Sequence, residues 1–124
     1  MRILLSIKPP FVREITTGRK LYEFRKNLFK NTEIKTVVVY ASSPICKVVG
    51  EFEIEYIIKD TPCNIWEKTK LYSGISSLFY FQYFKDRDIA YAIKIKNFIK
   101  YEQPLSLNDF AVGIKPPQSF CYIE

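Results

Sequence analysis

A short stretch near the N-terminus predicts a helix, its end and a following strand, and this order constrains the fold more than any other feature. Between residues 9 and 17 the apolar side chains recur at helical spacing, with a proline in the first turn. Gly18 follows where helices commonly end. In the alternating residues that come next, Glu23 and Arg25 share one face of the predicted strand, and two aromatic residues share the other.

The charged residues of this stretch form a candidate site. A lysine, a glutamate and an arginine, Lys20, Glu23 and Arg25, lie close in sequence and could hold and polarise a phosphate or a carbonyl group. Lys20 has the opposite strand parity to Glu23, so both face one site only if Lys20 lies in the turn before the strand or a bulge re-aims it. The alternative is a solvated set of surface ion pairs, which would contribute little to stability.

The rest of the chain predicts an α+β fold. Four further segments have the patterns of β-strands: residues 3–7, 36–41, 50–58 and 90–98. In the third, Tyr56 is predicted to point inward and the glutamates outward, opposite the outward lysines of the fourth. Helices are predicted to begin at Thr61 and near Ser76. We therefore expect one domain over residues 1–124, built on a mixed sheet of five to six strands with flanking helices.

The charge distribution favours a polyanionic partner. The formal net charge is +6, and the first 47 residues hold ten Lys or Arg against three Glu, a local charge of +7. Because this excess surrounds the candidate site, nucleic acid is favoured over a basic surface that only keeps the protein in solution. The N-terminal apolar run is too short for a signal peptide core or a membrane span, so we expect a cytoplasmic protein with no membrane partner.

The histidine and cysteine content of the sequence excludes several kinds of chemistry. The sequence has no histidine, so histidine-based triads and proton shuttles are excluded. Its three cysteines are odd in number and none is spaced as CxxC, which argues against a disulfide framework or a zinc ribbon. We therefore predict no metal and no cofactor.

Residues 79–84 contain five aromatic side chains, too many for one face of a helix. One interpretation is a helix wedged between the sheet and its neighbours. Another is that Tyr80 or Tyr83 provides a stacking surface for a base, which can contribute about 1 to 3 kcal/mol per base. A third is that the aromatic helix docks a partner protein, which would make the domain a regulatory interaction module.

The pattern Gly-x-Lys-x-x-Glu-x-Arg, formed by Gly18, Lys20, Glu23 and Arg25, resembles the signature of the ASCH (activating signal cointegrator homology) family of PUA-like domains, in particular its small prokaryotic members. Segments 6–9, 40–44, 49–52 and 116–120 resemble the same family in the same order. The resemblance implies a PUA-like mixed β-barrel and RNA-related roles. The residues predicted to bind RNA or a nucleotide-like molecule in a basic cleft are Ser6, Lys8, Lys20, Glu23, Arg25, Lys115 and Ser119.

The resemblance also raises a hydrolase as an alternative. Some ASCH proteins hydrolyse the acetyl amide of N4-acetylcytidine with the motif lysine, the residue at the position of Glu23 and a helical carboxylate. This chain departs from them, because Glu23 stands where they have threonine and residues 75–78 offer no carboxylate. Other members are ribonucleases, for which Lys20 would be an electrostatic stabiliser and Glu23 a general base.

Overall fold

The elements of the fold follow the predicted order. The computed structural model describes residues 1–111 and 113–124. Its strands are β1 (Arg2–Ile7), β2 (Tyr22–Arg25), β3 (Thr36–Ala41), β4 (Lys47–Asp60), β5 (Ala90–Leu105) and β6 (Phe120–Ile123). Its helices are α1 (Pro9–Thr16), α2 (Pro62–Thr69), α3 (Ser77–Tyr83) and α4 (Leu107–Phe110), and a 3₁₀ turn at Lys70–Tyr72 follows α2.

The strands form one mixed sheet in the order β2-β5-β4-β3-β1-β6. β1 and β3 are parallel, and the connection through α1 and β2 provides the crossover that this pairing needs. The other neighbours are antiparallel. The sheet curls until β2 approaches β1, where Arg25 Nη2 donates a hydrogen bond to the carbonyl of Ser6 over 2.9 Å. The predicted α+β fold with five to six strands is confirmed, and the sheet has six. Among the described residues, a side chain rather than a backbone ladder joins β2 to β1.

The predicted helix boundaries are confirmed by their capping interactions. Thr61 Oγ1 accepts the backbone N–H of Asn64 at the start of α2, and Ser76 Oγ accepts the N–H of Phe79 at the start of α3. Gly18, with a φ of +80°, follows the end of α1. None of the helices in residues 1–111 and 113–124 is long and apolar enough to cross a bilayer.

The long antiparallel pair of β4 and β5 places acidic opposite basic side chains, as predicted. Glu53 lies opposite Lys96, and Lys94 Nζ lies 3.8 Å from Glu55 Oε2. The predicted inward position of Tyr56 is wrong, because its side chain is 44% exposed. The pairing shifts register between Ile54 and Tyr56, so strict alternation ends at this point of β4.

β2 separates an apolar core from the charged site. Its Tyr22 and Phe24 pack in a cluster with Ile65 of α2 and Tyr80 of α3. Glu23 and Arg25 alternate with these residues and are also buried. The strand therefore carries two charged side chains inside the protein rather than on its surface.

Candidate ligand-binding pocket

A cavity of about 210 Å³ lies where β1 and β2 meet α1, α3 and the C-terminal segment. Half of the residues in its walls are polar or charged, but apolar and aromatic atoms make up most of the exposed surface of these walls. They are formed by Ser6, Ile7, Lys8, Phe11, Lys20, Glu23, Phe24, Arg25, Ile75, Phe79, Tyr83 and Gln118. Five of the seven residues predicted to bind a ligand line this cavity, and all three charged residues of the motif are among them.

Lys20 is the most deeply buried charged residue of the cavity. It lies in the connection between α1 and β2, where its backbone pairs with Ser73 in an isolated bridge. Its side chain is 2% exposed, and Nζ donates a hydrogen bond to the Ser73 carbonyl over 3.0 Å. Burial lowers the pKa of the Lys20 ammonium from 10.5 to about 8, an effect that the Glu23 carboxylate partly opposes. Lys20 is therefore mostly charged at pH 7, and it loses its proton as the pH rises above about 8.

The Glu23 carboxylate lies between two cations. Its Oε1 is 3.9 Å from Lys20 Nζ, and its Oε2 is 3.0 Å from Arg25 Nη2. Lys20 precedes β2 in the turn, which is the position that lets it face the same side as Glu23 despite its parity. All three side chains reach one cavity.

Arg25 is occupied mainly by the protein itself. In addition to Glu23, its guanidinium donates to the carbonyls of Ser6 (2.9 Å) and Ser119 (3.4 Å). Its Nε is buried and has no hydrogen-bond partner in the part of the chain that the structure describes. These contacts connect β2 with β1 and with the segment before β6, and they leave Arg25 few N–H groups that a ligand could use.

Aromatic rings and lysines form the outer part of the pocket. Phe79 and Tyr83 lie one turn apart on α3, with ring planes 11° apart and centroids separated by 6.5 Å. Lys8 Nζ lies 5.6 Å from the centroid of Phe79, and Lys26 Nζ lies 4.7 Å from that of Tyr83. This rim is more open than the inner part that holds Lys20.

Of the two tyrosines predicted to stack on a base, only Tyr83 lines the pocket. The prediction for Tyr80 is wrong because its side chain is completely buried, and its hydroxyl donates to the Pro62 carbonyl over 2.7 Å. Tyr80 and Phe84 are core residues. Their burial supports the interpretation of the aromatic segment as a helix wedged between the sheet and its neighbours. Phe79 stays 40% exposed and is available to a ligand.

The remaining predicted binding residues differ in their positions. Ser6 lines the pocket and donates its hydroxyl to the Pro117 carbonyl over 2.6 Å. Ser119 contributes a carbonyl to Arg25 but does not line the cavity, and Lys115 is exposed outside it. Gln118, which lines the cavity, was missed. Its only signal was its place in the 116–120 segment used for the family resemblance.

The absence of a side chain at Gly74 leaves space for Lys20, and this close approach yields a prediction about stability. Gly74 has a φ of +66°, and a Cβ built on it would collide with Lys20 Cβ and lie 2.8 Å from Lys20 Cγ. Gly74→Ala is therefore expected to lower the free energy of unfolding by about 2 to 4 kcal/mol through backbone strain and overpacking. Gly18→Ala is the control, because Gly18 also has positive φ but no atom of residues 1–111 and 113–124 lies within 4 Å of the added Cβ. Equal losses in urea unfolding of the two variants would contradict this account.

A curled, six-stranded mixed sheet with a polar and aromatic pocket where β1 and β2 approach each other defines a PUA-like domain. Within that class, a family model described as the ASCH domain matches residues 5–99. The chain belongs to the ASCH family.

Known proteins of this family share the fold. The crystal structure of ASCH from Zymomonas mobilis superimposes with a TM-score of 0.90 at 23% identity, covering 99% of this chain and 87% of that one. An ASCH domain-containing ribonuclease of the same organism is 24% identical over 127 residues, which cover 98% of this chain and 83% of the ribonuclease.

A second kind of relative is much longer. Large ribosomal subunit protein uL22 of Ureaplasma parvum serovar 3 is 35% identical over 107 residues, which cover 82% of this chain but 34% of that protein. This chain therefore spans about a third of the length of the ribosomal proteins it matches.

Proposed function

We propose that the chain binds RNA or a nucleotide, with a base inside the pocket and phosphate at its rim. One observation carries this proposal: the Lys20 ammonium, a donor, and the Glu23 carboxylate, an acceptor, lie 3.9 Å apart among aromatic walls. A nucleobase is flat and apolar on its faces and has donors and acceptors on its edge. Such a ring matches the pocket in shape and in hydrogen bonding.

The charges favour the base rather than the phosphate for the inner position. A phosphate next to Lys20 would also lie close to the Glu23 carboxylate, and two anions repel strongly where water is excluded. Arg25 would relieve this repulsion little, because most of its donors are engaged. The cavity of about 210 Å³ is also smaller than ligand pockets of about 300 to 1,000 Å³, so it suits one ring system.

Two further facts support RNA as the partner. The net charge is +6, and its excess lies in the N-terminal residues that contribute much of the pocket. A family relative that matches 98% of this chain is named as a ribonuclease.

Titration of the chain with a fluorescent single-stranded RNA at two salt concentrations tests the proposal. We expect the affinity to fall as salt rises, because lysines at the rim contact phosphate. Glu23→Gln is expected to weaken binding about ten- to hundredfold through the lost charged acceptor. Glu102→Gln is the matched control, because Glu102 is an exposed glutamate of β5 and does not line the pocket. Circular dichroism checks that each variant folds, and unchanged affinity in folded Glu23→Gln would contradict the proposal.

Hydrolysis of RNA is a second candidate, favoured by the ribonuclease relative and by the position of Lys20 Nζ 3.9 Å from Glu23 Oε1 in one cavity. In this function the buried ammonium would stabilise charge that develops during the reaction, and Glu23 would accept a proton. Mass spectrometry of RNA and modified nucleosides incubated with the wild type, Lys20→Met and Glu23→Gln separates the two functions. Turnover that both substitutions abolish supports hydrolysis. Binding without turnover supports the binding function and contradicts hydrolysis.

A further inference from the structure

We propose that the rim of the pocket is a path for single-stranded RNA, in which Lys8 and Lys26 contact phosphates on either side of the inserted base. This inference rests on the proposed function and adds the substrate class: an oligonucleotide rather than a free nucleoside. It assigns a binding role to Lys26, which the sequence pattern did not single out.

Three separate parts of the chain build this path. Lys8 lies between β1 and α1, Lys26 directly follows β2, and α3 supplies the two rings on which they rest. The rings of Phe79 and Tyr83 are nearly parallel, and each has one lysine over it. Two cation and ring pairs thus lie side by side along one turn of α3.

The two lysines are available to a polyanion. In the described part of the chain, neither forms a salt bridge with an acidic side chain. An ammonium over a ring is held only weakly at an exposed site, so a phosphate can draw it away from the ring. The uncovered faces of Phe79 and Tyr83 would then accept neighbouring bases, since stacking tolerates any base.

The cavity opens at the rim formed by these lysines and aromatic rings. Lys8, Phe79 and Tyr83 line the cavity that holds Glu23, and Lys26 follows Arg25 in the chain. A strand that inserts one base into the cavity must carry its backbone over this rim in both directions. A nucleoside uses only the cavity, whereas an oligonucleotide also reaches the lysines.

Calorimetric titration with a nucleoside and with a hexanucleotide RNA, each at 50 and 200 mM salt, tests the path. Two phosphate contacts predict a logarithmic salt slope of about −1.4 for a single strand, which is about a sevenfold loss of affinity over this range. Nucleoside binding is expected to be weaker and to depend little on salt.

Lys8→Ala and Lys26→Ala are each expected to reduce the oligonucleotide slope by about 0.7. Lys59→Ala is the matched control, because Lys59 is an exposed lysine of β4 outside the pocket. All three positions are exposed or partly exposed, so the variants should fold. Equal slopes in all three variants and the wild type would overturn the path.

The outcomes also separate this inference from the proposed function. A nucleoside that binds as tightly as the hexanucleotide overturns the path and leaves the pocket intact. A duplex of the same sequence that binds as tightly as the single strand also overturns the path, because a paired base cannot enter the cavity without being extruded. Failure of every nucleoside and oligonucleotide to bind overturns the proposed function itself.

Discussion

Glu23→Ala is expected to lower the free energy of unfolding by about 3 to 5 kcal/mol at pH 7, which is the usual effect of removing one partner from a buried ion pair. The carboxylate lies between Lys20 and Arg25, and all three side chains are nearly excluded from solvent. Without it, two buried cations remain with no counter-charge. Urea unfolding followed by circular dichroism measures the loss.

Glu14→Ala is the control for this result. Glu14 also forms an ion pair with an arginine, but the side chain of Arg19 is 65% exposed, so the expected loss is below about 1 kcal/mol. The effect of Glu23→Ala should also shrink as the pH rises towards 9, because Lys20 can then lose its proton and its charge. A loss that is small at pH 7, or that grows with pH, would show that Glu23 is not a counter-ion for Lys20.

Lys20→Met is expected to change how stability depends on pH. The pKa of Lys20 is about 8 in the folded protein and 10.5 in the unfolded chain, so between these values the unfolded chain holds more protons. The stability of the wild type relative to the variant therefore rises as pH increases from about 8 to 10.5. The full gain corresponds to about 3 kcal/mol, because each pKa unit is equivalent to about 1.4 kcal/mol.

Unfolding free energies of the wild type and Lys20→Met, measured in urea between pH 7 and 10, give this difference directly. Lys20→Leu serves as a second apolar replacement and should give the same pH trend even if it packs differently. An NMR titration of the Lys20 side chain provides an independent measure of its pKa. Parallel stability curves for the wild type and both variants would refute the lowered pKa.

Local features of the chain predicted much of the fold and part of the pocket. The helix before Gly18 and the caps at Thr61 and Ser76 depend on neighbouring residues, so the sequence predicts them directly. The alternation in β2 likewise predicted that Glu23 and Arg25 share a face. These interactions need no knowledge of distant parts of the chain.

Features that depend on distant contacts could not be predicted. The register shift beside Tyr56 arises from pairing with β5, so alternation within β4 alone placed that side chain on the wrong face. Tyr80 and Tyr83 look alike in sequence, and only the packing of α3 against α2 and β2 buries the first. Gln118 reaches the pocket because Ser6 and Arg25 hold the segment around it, and neither contact has a sequence pattern.

The dual use of Arg25 limits how this domain can diverge. One guanidinium joins β2 to β1 and to the segment before β6, and it also forms part of the pocket wall. A substitution of Arg25 would change both the pocket wall and the hydrogen bonds between these strands. Ligand preference and stability therefore cannot evolve separately at this position. New preferences for ligands should arise instead through Phe79 and Gln118, whose side chains can change without separating the strands.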